Sequence, residues 1–348
     1  MLSVTIETSI FAPPNVGVSA EDVRGFVTTL LDWKEALDEE RLTVYKSKFA
    51  VELLMQCEMY PIRPQLKMLL TSAEVFEYDS NTVAVLAEAL LARSSNIEDA
   101  IGIYDVLVDE LAMDPDVFEG YAPVALRDDA KRCAVVVSVA KRFAGGHTLE
   151  GHAIAVRAQD LASLIQIRGL IRDIEHTRDD LAGLPFAPEY FEASVLLCSS
   201  CHLLLMNLNV GEILRGATQA DDVQAAIRVG LYKRHTEQRT PLKWQDLPVF
   251  TIGSAFFASL QAHHVTSNSG LADRLMRSLV ETICHDNLAA THALRSGAGG
   301  GNRQRMRGKD AAWRRDVDYE YHLHYWECEA GNVELANLVV HNEFSISE

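Results

Sequence analysis

The chain has 348 residues, is 48% hydrophobic and 23% charged, and carries a formal net charge of -17, a profile that fits a globular protein long enough for two domains. The acid excess argues against general coating of nucleic acid or anionic membrane, so any nucleic-acid contact needs a local basic patch. No apolar run is long enough to cross a bilayer, MLSVTIETSIFAPPN lacks a basic leader and an uninterrupted apolar core, and the six cysteines are expected to be reduced; together these predict a cytoplasmic protein.

Residues 2–11 read as a first strand rich in β-branched residues. Ser19 looks like an N-cap, with Glu21 and Asp22 in the first turn. Val23, Phe26, Val27, Leu30, Leu31, Trp33 and Leu37 then keep helical spacing to about Glu40. A short strand at 42–47 runs into a helix from Phe49 to Met59, and Leu66, Met68, Leu69 and Leu70 suggest another. Residues 75–78 read as a strand, after which Asp79 or Ser80 caps a helix ending near Arg93. Helices are predicted over 97–112 and 127–143, the second stopped by Gly145 and Gly146. Residues 152–158 read as a strand, 161–176 as a helix, 191–209 as a very apolar helix and 220–234 as an amphipathic one. The polar segment 235–248 carries two prolines and is the expected linker. The alternation predicts an α/β, largely helical N-terminal domain over residues 1–240.

Four acids in this domain draw notice. Glu7 ends the first strand, Glu52 opens a helix after the second, and Asp128 and Asp129 open the helix DDAKRCAVVVSVAKR. This placement weakly resembles the PIN-like nucleases. The resemblance implies Mg²⁺ or Mn²⁺ held by carboxylates, activating water against a phosphodiester. The bland alternative makes Glu7 a turn acid, Glu52 a solvated helix acid and the aspartates partners of a helix dipole. Cys198-Ser-Ser-Cys201-His202 spells a haem-attachment pattern, but its apolar flanks predict buried thiols within a core helix.

The stretch 247–348 has its own order. PVFTIGSAFFASL passes from strand-like to amphipathic, and a helix-like run covers Leu271 to Arg295. The loop SGAGGGNRQRMRGK follows, then strands at about 312–317, 321–328 and 333–341. Arg303, Arg305, Arg307, Lys309, Arg314 and Arg315 face a single acid, Asp310, within 303–315. This is the strongest local reversal of charge in the chain, and forked arginines suit a phosphate. Alternation puts His322, His324 and Trp326 on one strand face and Tyr321, Leu323 and Tyr325 on the other.

Strand, two helices, basic loop and antiparallel strands in this order resemble the RelE/ParE/HigB toxin superfamily. The resemblance implies a small α+β domain over 247–348 with an antiparallel sheet. It implies a ribonuclease of toxin or phage-defence type, cleaving RNA through attack by the ribose 2′-hydroxyl. Arg314 would hold the phosphate, His322 or His341 would act as base or acid, and Arg303, Arg305, Arg307 and Lys309 would bind the strand, with no cofactor. The implied partners are RNA, in some members on the ribosome, and an antitoxin or defence-system protein. The family also contains members without nuclease activity. A non-catalytic interaction protein, with the small domain as its binding surface, is therefore the alternative, and a PIN-like metal-dependent nuclease a third reading.

Overall fold

A computed structural model describes residues 2–143, 149, 151–158, 161–184, 188–238, 243–297 and 302–347. It is a mixed α/β chain forming two compact units, Leu2–Asn207 and Leu208–Glu348. The stop at Gly145 and Gly146 and the tip of the glycine-rich loop, 298–301, lie outside the described residues.

The N-terminal unit is built on a seven-stranded sheet. Its strands are β1 (Ser3–Ile6), β2 (Thr43–Lys46), β3 (Ser95–Asn96), β4 (Ile103–Asp114), β5 (His152–Ala155), β6 (Ala162–His176) and β7 (Glu189–Cys198). The order is β3-β2-β1-β5-β7-β6-β4. The first five strands in that order pair in parallel, while β6 and β4 extend the sheet antiparallel. Both β1 and β5 are buried at every residue, as strands covered on both faces must be. The helices are α1 (Ala20–Asp38), α2 (Ala50–Gln56), α3 (Arg63–Ser72), α4 (Ser80–Arg93), α5 (Ile97–Ile101), α6 (Val124–Phe143) and α7 (Cys201–Asn207). Ser19 and Asp22 close a full capping box on α1, and Asp79 caps α4. Apolar α6 residues such as Val135, Val137 and Val139 share a core with Ile154, Ile165, Ile167 and Val195 of the sheet.

Several expected elements take another form. The first strand stops at Ile6, and Glu7 caps a 3-10 turn, Thr8–Ile10. Residues 75–78 form no strand. The helix expected over 97–112 ends at Ile101, because Gly102 turns left-handed (φ 68°) and the chain leaves as β4. Residues 161–176 are a strand. Ile165, Ile167 and Ile171 alternate with exposed Gln166 and Arg168, and pairing on both sides favours that period over the helical one. Gly169 permits this packing, since a Cβ there would meet Val108 Cγ1 at 2.4 Å. The apolar run 191–209 divides at Ser199-Ser200 into the end of β7 and α7. Cys198 and Cys201 thus flank a strand-to-helix junction. Both are fully buried and their thiols are pushed upward by burial, Cys201 to about 12, which makes them poor nucleophiles.

The C-terminal unit starts with α8 (Val210–Arg215) and α9 (Ala220–Glu237). The units therefore divide N-terminal of the expected linker at 235–248. Within that segment Trp244 is buried, with its carbonyl accepting from Arg228 Nη2 and its ring beneath the same guanidinium. There follow β8 (Phe250–Ile252), α10 (Phe256–Ala262), α11 (Ser269–Ile283), β9 (Thr291–Ala293), β10 (Met306–Arg307), β11 (Asp310–Asp316), β12 (Tyr321–Glu327) and β13 (Val333–Val340). The sheet runs β10-β11-β12-β13-β8, with β9 also paired to β11. Its central pairs are antiparallel, while β13 and β8 run parallel, so the sheet is mixed. On α11, Leu271, Leu275, Leu279 and Ile283 recur at helical spacing and are buried. The helix does not reach Arg295. His285 and Asn287 take left-handed backbone (φ 54° and 47°), and the chain re-enters the sheet as β9.

Candidate functional site

Alternation along β11 and β12 sorts side chains into two sets. Arg315, Leu323, Tyr325, Leu335 and Leu338 are buried. Arg315 is fully enclosed, its guanidinium bonded to Glu281 at 2.8 Å and to the Asp286 carbonyl. A buried cation so paired is structural. The alternate set carries Ala312, Arg314 and Asp316 on β11 and His322, His324 and Trp326 on β12. Register sets Arg314 opposite both His324 and His292 of β9, and Asp316 opposite His322.

Four groups meet there. His322 Nε2 lies 3.2 Å from Asp316 Oδ1 and 3.1 Å from His341 Nδ1. His292 Nε2 lies 3.6 Å from the other oxygen of Asp316. His341 follows β13 and is anchored by its own N–H, which donates to the Glu320 carbonyl at 2.7 Å. The contact between His322 Nε2 and His341 Nδ1 can be donated from either ring, and a His341 that donates from Nδ1 keeps the lone pair of its own Nε2 free. Burial lowers the basicity of His322; Arg314, His341 and His292 act the same way, and Asp316 opposes them. His322 is thus a buried neutral imidazole, 1% exposed, while His341 is exposed to solvent. The arrangement sets an exposed imidazole, His341, against a second imidazole and a carboxylate, a geometry that can serve proton transfer. Arg314 is half-buried and has no ion pair among the described residues.

The remaining basic candidates divide. Arg307 is held by Asp310 and Glu334 and stacks on Trp326, and Lys309 is paired with Glu329. Their charge is largely met within the protein. Arg303 is exposed, and Arg305 Nε donates to the Arg295 carbonyl at 3.4 Å. The site thus brings together Arg314, His322 and His341, with Arg303 and Arg305 on the adjoining loop. Sequence reasoning missed His292 and the role of Asp316; the one available signal was that Asp316 shares the face of Arg314.

The N-terminal acids separate. Glu7 is completely buried at the C-terminal end of β1. It accepts from Ser9 N at 2.9 Å, from Ser9 Oγ and from Arg157 N at 3.1 Å. Burial outweighs these donors and raises its carboxyl to about 7. Asp129 is buried too and accepts from Thr8 Oγ1 (2.7 Å), Ser47 Oγ (2.8 Å) and Arg132 Nη2 (3.1 Å). Arg132 also pairs with fully buried Glu98, an acid the sequence did not single out. Glu52 and Asp128 are exposed, bonded to Gln56 and Arg127. The donor set does not fit a Mg²⁺ or Mn²⁺ cage. Hydroxyls, backbone N–H groups and Arg132 already fill its oxygens, and among the described residues no three His, Cys, Asp or Glu side chains could hold one ion.

No protein-family model, curated protein or solved structure matches this chain. Among the described residues no helix is long and apolar enough to cross a membrane.

Proposed function

We propose that the C-terminal unit is a ribonuclease site that acts through proton transfer without a resident metal. The observation that carries this reading is the contact of His322 Nε2 with both Asp316 and His341 beside Arg314. Cleavage by the neighbouring ribose 2′-hydroxyl needs a base for that hydroxyl, an acid for the leaving oxygen and positive charge on the phosphate. His341, exposed and donating from Nδ1 to the neutral His322 imidazole, takes the 2′-hydroxyl proton on Nε2 and gives it to the leaving oxygen. His322 and Asp316 position it. Arg314 supplies the charge, and Arg303 and Arg305 extend the cationic surface along the strand.

The test is cleavage of a single-stranded RNA by the full chain and by His341→Ala, Arg314→Ala and Asp316→Asn. A positioned general acid or base contributes roughly 10²–10⁴-fold, so His341→Ala should lose activity on that scale. Asp316→Asn should lose less and shift the pH profile. A stable co-purifying protein, with no cleavage by the parent chain, would favour the binding-module alternative.

A further inference from the structure

The face that carries Arg314 and His322 continues beyond them. Along β12 it includes His324 and Trp326, and the Arg307 guanidinium lies 4.7 Å over the Trp326 ring. Residues 342–347 lie across this continuation. The Ser345 carbonyl accepts from His324 Nδ1 at 2.7 Å and from Asn337 Nδ2 at 3.4 Å. The Ser347 carbonyl accepts from Trp326 Nε1 at 2.9 Å, and Ser347 Oγ donates to the Ala336 carbonyl at 2.9 Å. Phe344 and Ile346 pack on a small cluster of Leu294, Ala312, Trp326 and Ala336. The strap leaves His324 at 0% and Trp326 at 2% exposure, and His324 Nε2 is buried with no hydrogen-bond partner.

The chemistry under the strap is unusual for a face that needs only covering. A structural face would be aliphatic. This one presents an indole, imidazoles, an amide and two guanidiniums in a row with the proton-transfer pair. Its donors on His324, Trp326 and Asn337 are met by main-chain carbonyls, acceptors that any extended strand can supply. A single-stranded nucleic acid offers the same acceptors on its bases and phosphates, together with flat bases that stack on aromatic rings. The strap also carries Glu343, whose charge favours the protonated form of His324, as a phosphate would.

We propose that the face under residues 342–347 is a second RNA subsite, which takes the single-stranded segment adjoining the cleaved phosphate, and that these residues fill it in the resting protein. The proposal rests on the reading of His341 and His322 as an RNA-cleaving pair. Trp326 and His324 form the stacking platform, Asn337 supplies a donor, and Arg307 backs the indole. RNA and strap compete for the same donors.

The experiment uses the full chain and a 2′-O-methyl RNA oligonucleotide, which binds but cannot be cleaved. Phe344→Ser combined with Ile346→Ser removes the apolar anchors. Ring titration of His324 by NMR reports whether the strap has lifted, because burial holds this imidazole at about 4. The double variant is expected to titrate nearer the ordinary range. It should bind the single strand roughly tenfold more tightly or better, the order that one base stack supplies, with duplex RNA unaffected. A freed His324 with unchanged, weaker or absent binding overturns the proposal. In the unaltered chain, saturating oligonucleotide should speed amide exchange over 342–347, and unchanged exchange in a bound complex overturns it equally. Neither readout depends on catalysis. Loss or survival of RNA cleavage in His341→Ala therefore bears on the activity alone.

Discussion

Replacing Glu7 with Gln should be more favourable to the stability of the N-terminal unit at pH 8 than near pH 4.5. The Glu7 carboxyl is completely buried and its pKa is raised from 4.5 to about 7. Between those values the folded chain keeps a proton that the unfolded chain has released, so stability falls as pH rises through this window. The loss is complete above about pH 7. A shift of this size corresponds to about 3 kcal/mol at 1.36 kcal/mol per unit. Gln carries no charge, but its single oxygen can serve either Ser9 N or Arg157 N and not both, so it should recover only part of that cost. The assay is urea unfolding of parent and variant at both pH values, following the N-terminal unit. A stability difference between variant and parent that does not move in favour of the variant from pH 4.5 to pH 8 would refute the reasoning. It would mean that the folded site prefers the ionised carboxylate, as a cation ligand does.

Two other predictions concern buried charge. Arg132→Met strands Glu98, which is fully buried, and Asp129, which is nearly so; losing one partner of such a network costs about 3–5 kcal/mol, and a loss below about 1 kcal/mol in urea unfolding would contradict the pairing. His152 and His324 are held at about 3 and about 4 by burial. The unfolded imidazoles take protons from about pH 6.5 downward while the folded ones do not, so their contribution is whole above that pH and shrinks on acidification. Each adds a slope of up to about 1.4 kcal/mol per pH unit, best seen in the Glu7→Gln background, and a flat stability from pH 7 to 4 there would contradict the burial of both rings.

What the sequence revealed followed how local each signal is. Ser19 and Asp79 cap helices through contacts three residues away, so α1 and α4 could be read directly. The tail strands were legible because His322, His324 and Trp326 alternate strictly with Leu323 and Tyr325. Residues 161–176 and 191–198 were not, since their apolar runs fit either period. What decides between them is pairing with strands far along the chain. The site shows the same division. Arg314, His322 and His341 stand out by residue type and strand position. The contact of Asp316 with His322 depends on β11–β12 register, and that of His292 on a short strand paired across β11. Glu98 remained hidden because it meets Arg132 and Lys48 N only through the fold, as Arg132 meets Ser47.

The most direct test of the central claim is the chemistry of the new RNA ends formed by the full chain in EDTA. Attack by the 2′-hydroxyl predicts 2′,3′-cyclic phosphate ends that form without added metal and disappear in His341→Ala. Products with 5′-phosphate ends that vanish on chelation, and that persist in His341→Ala when Mg²⁺ is present, would contradict it.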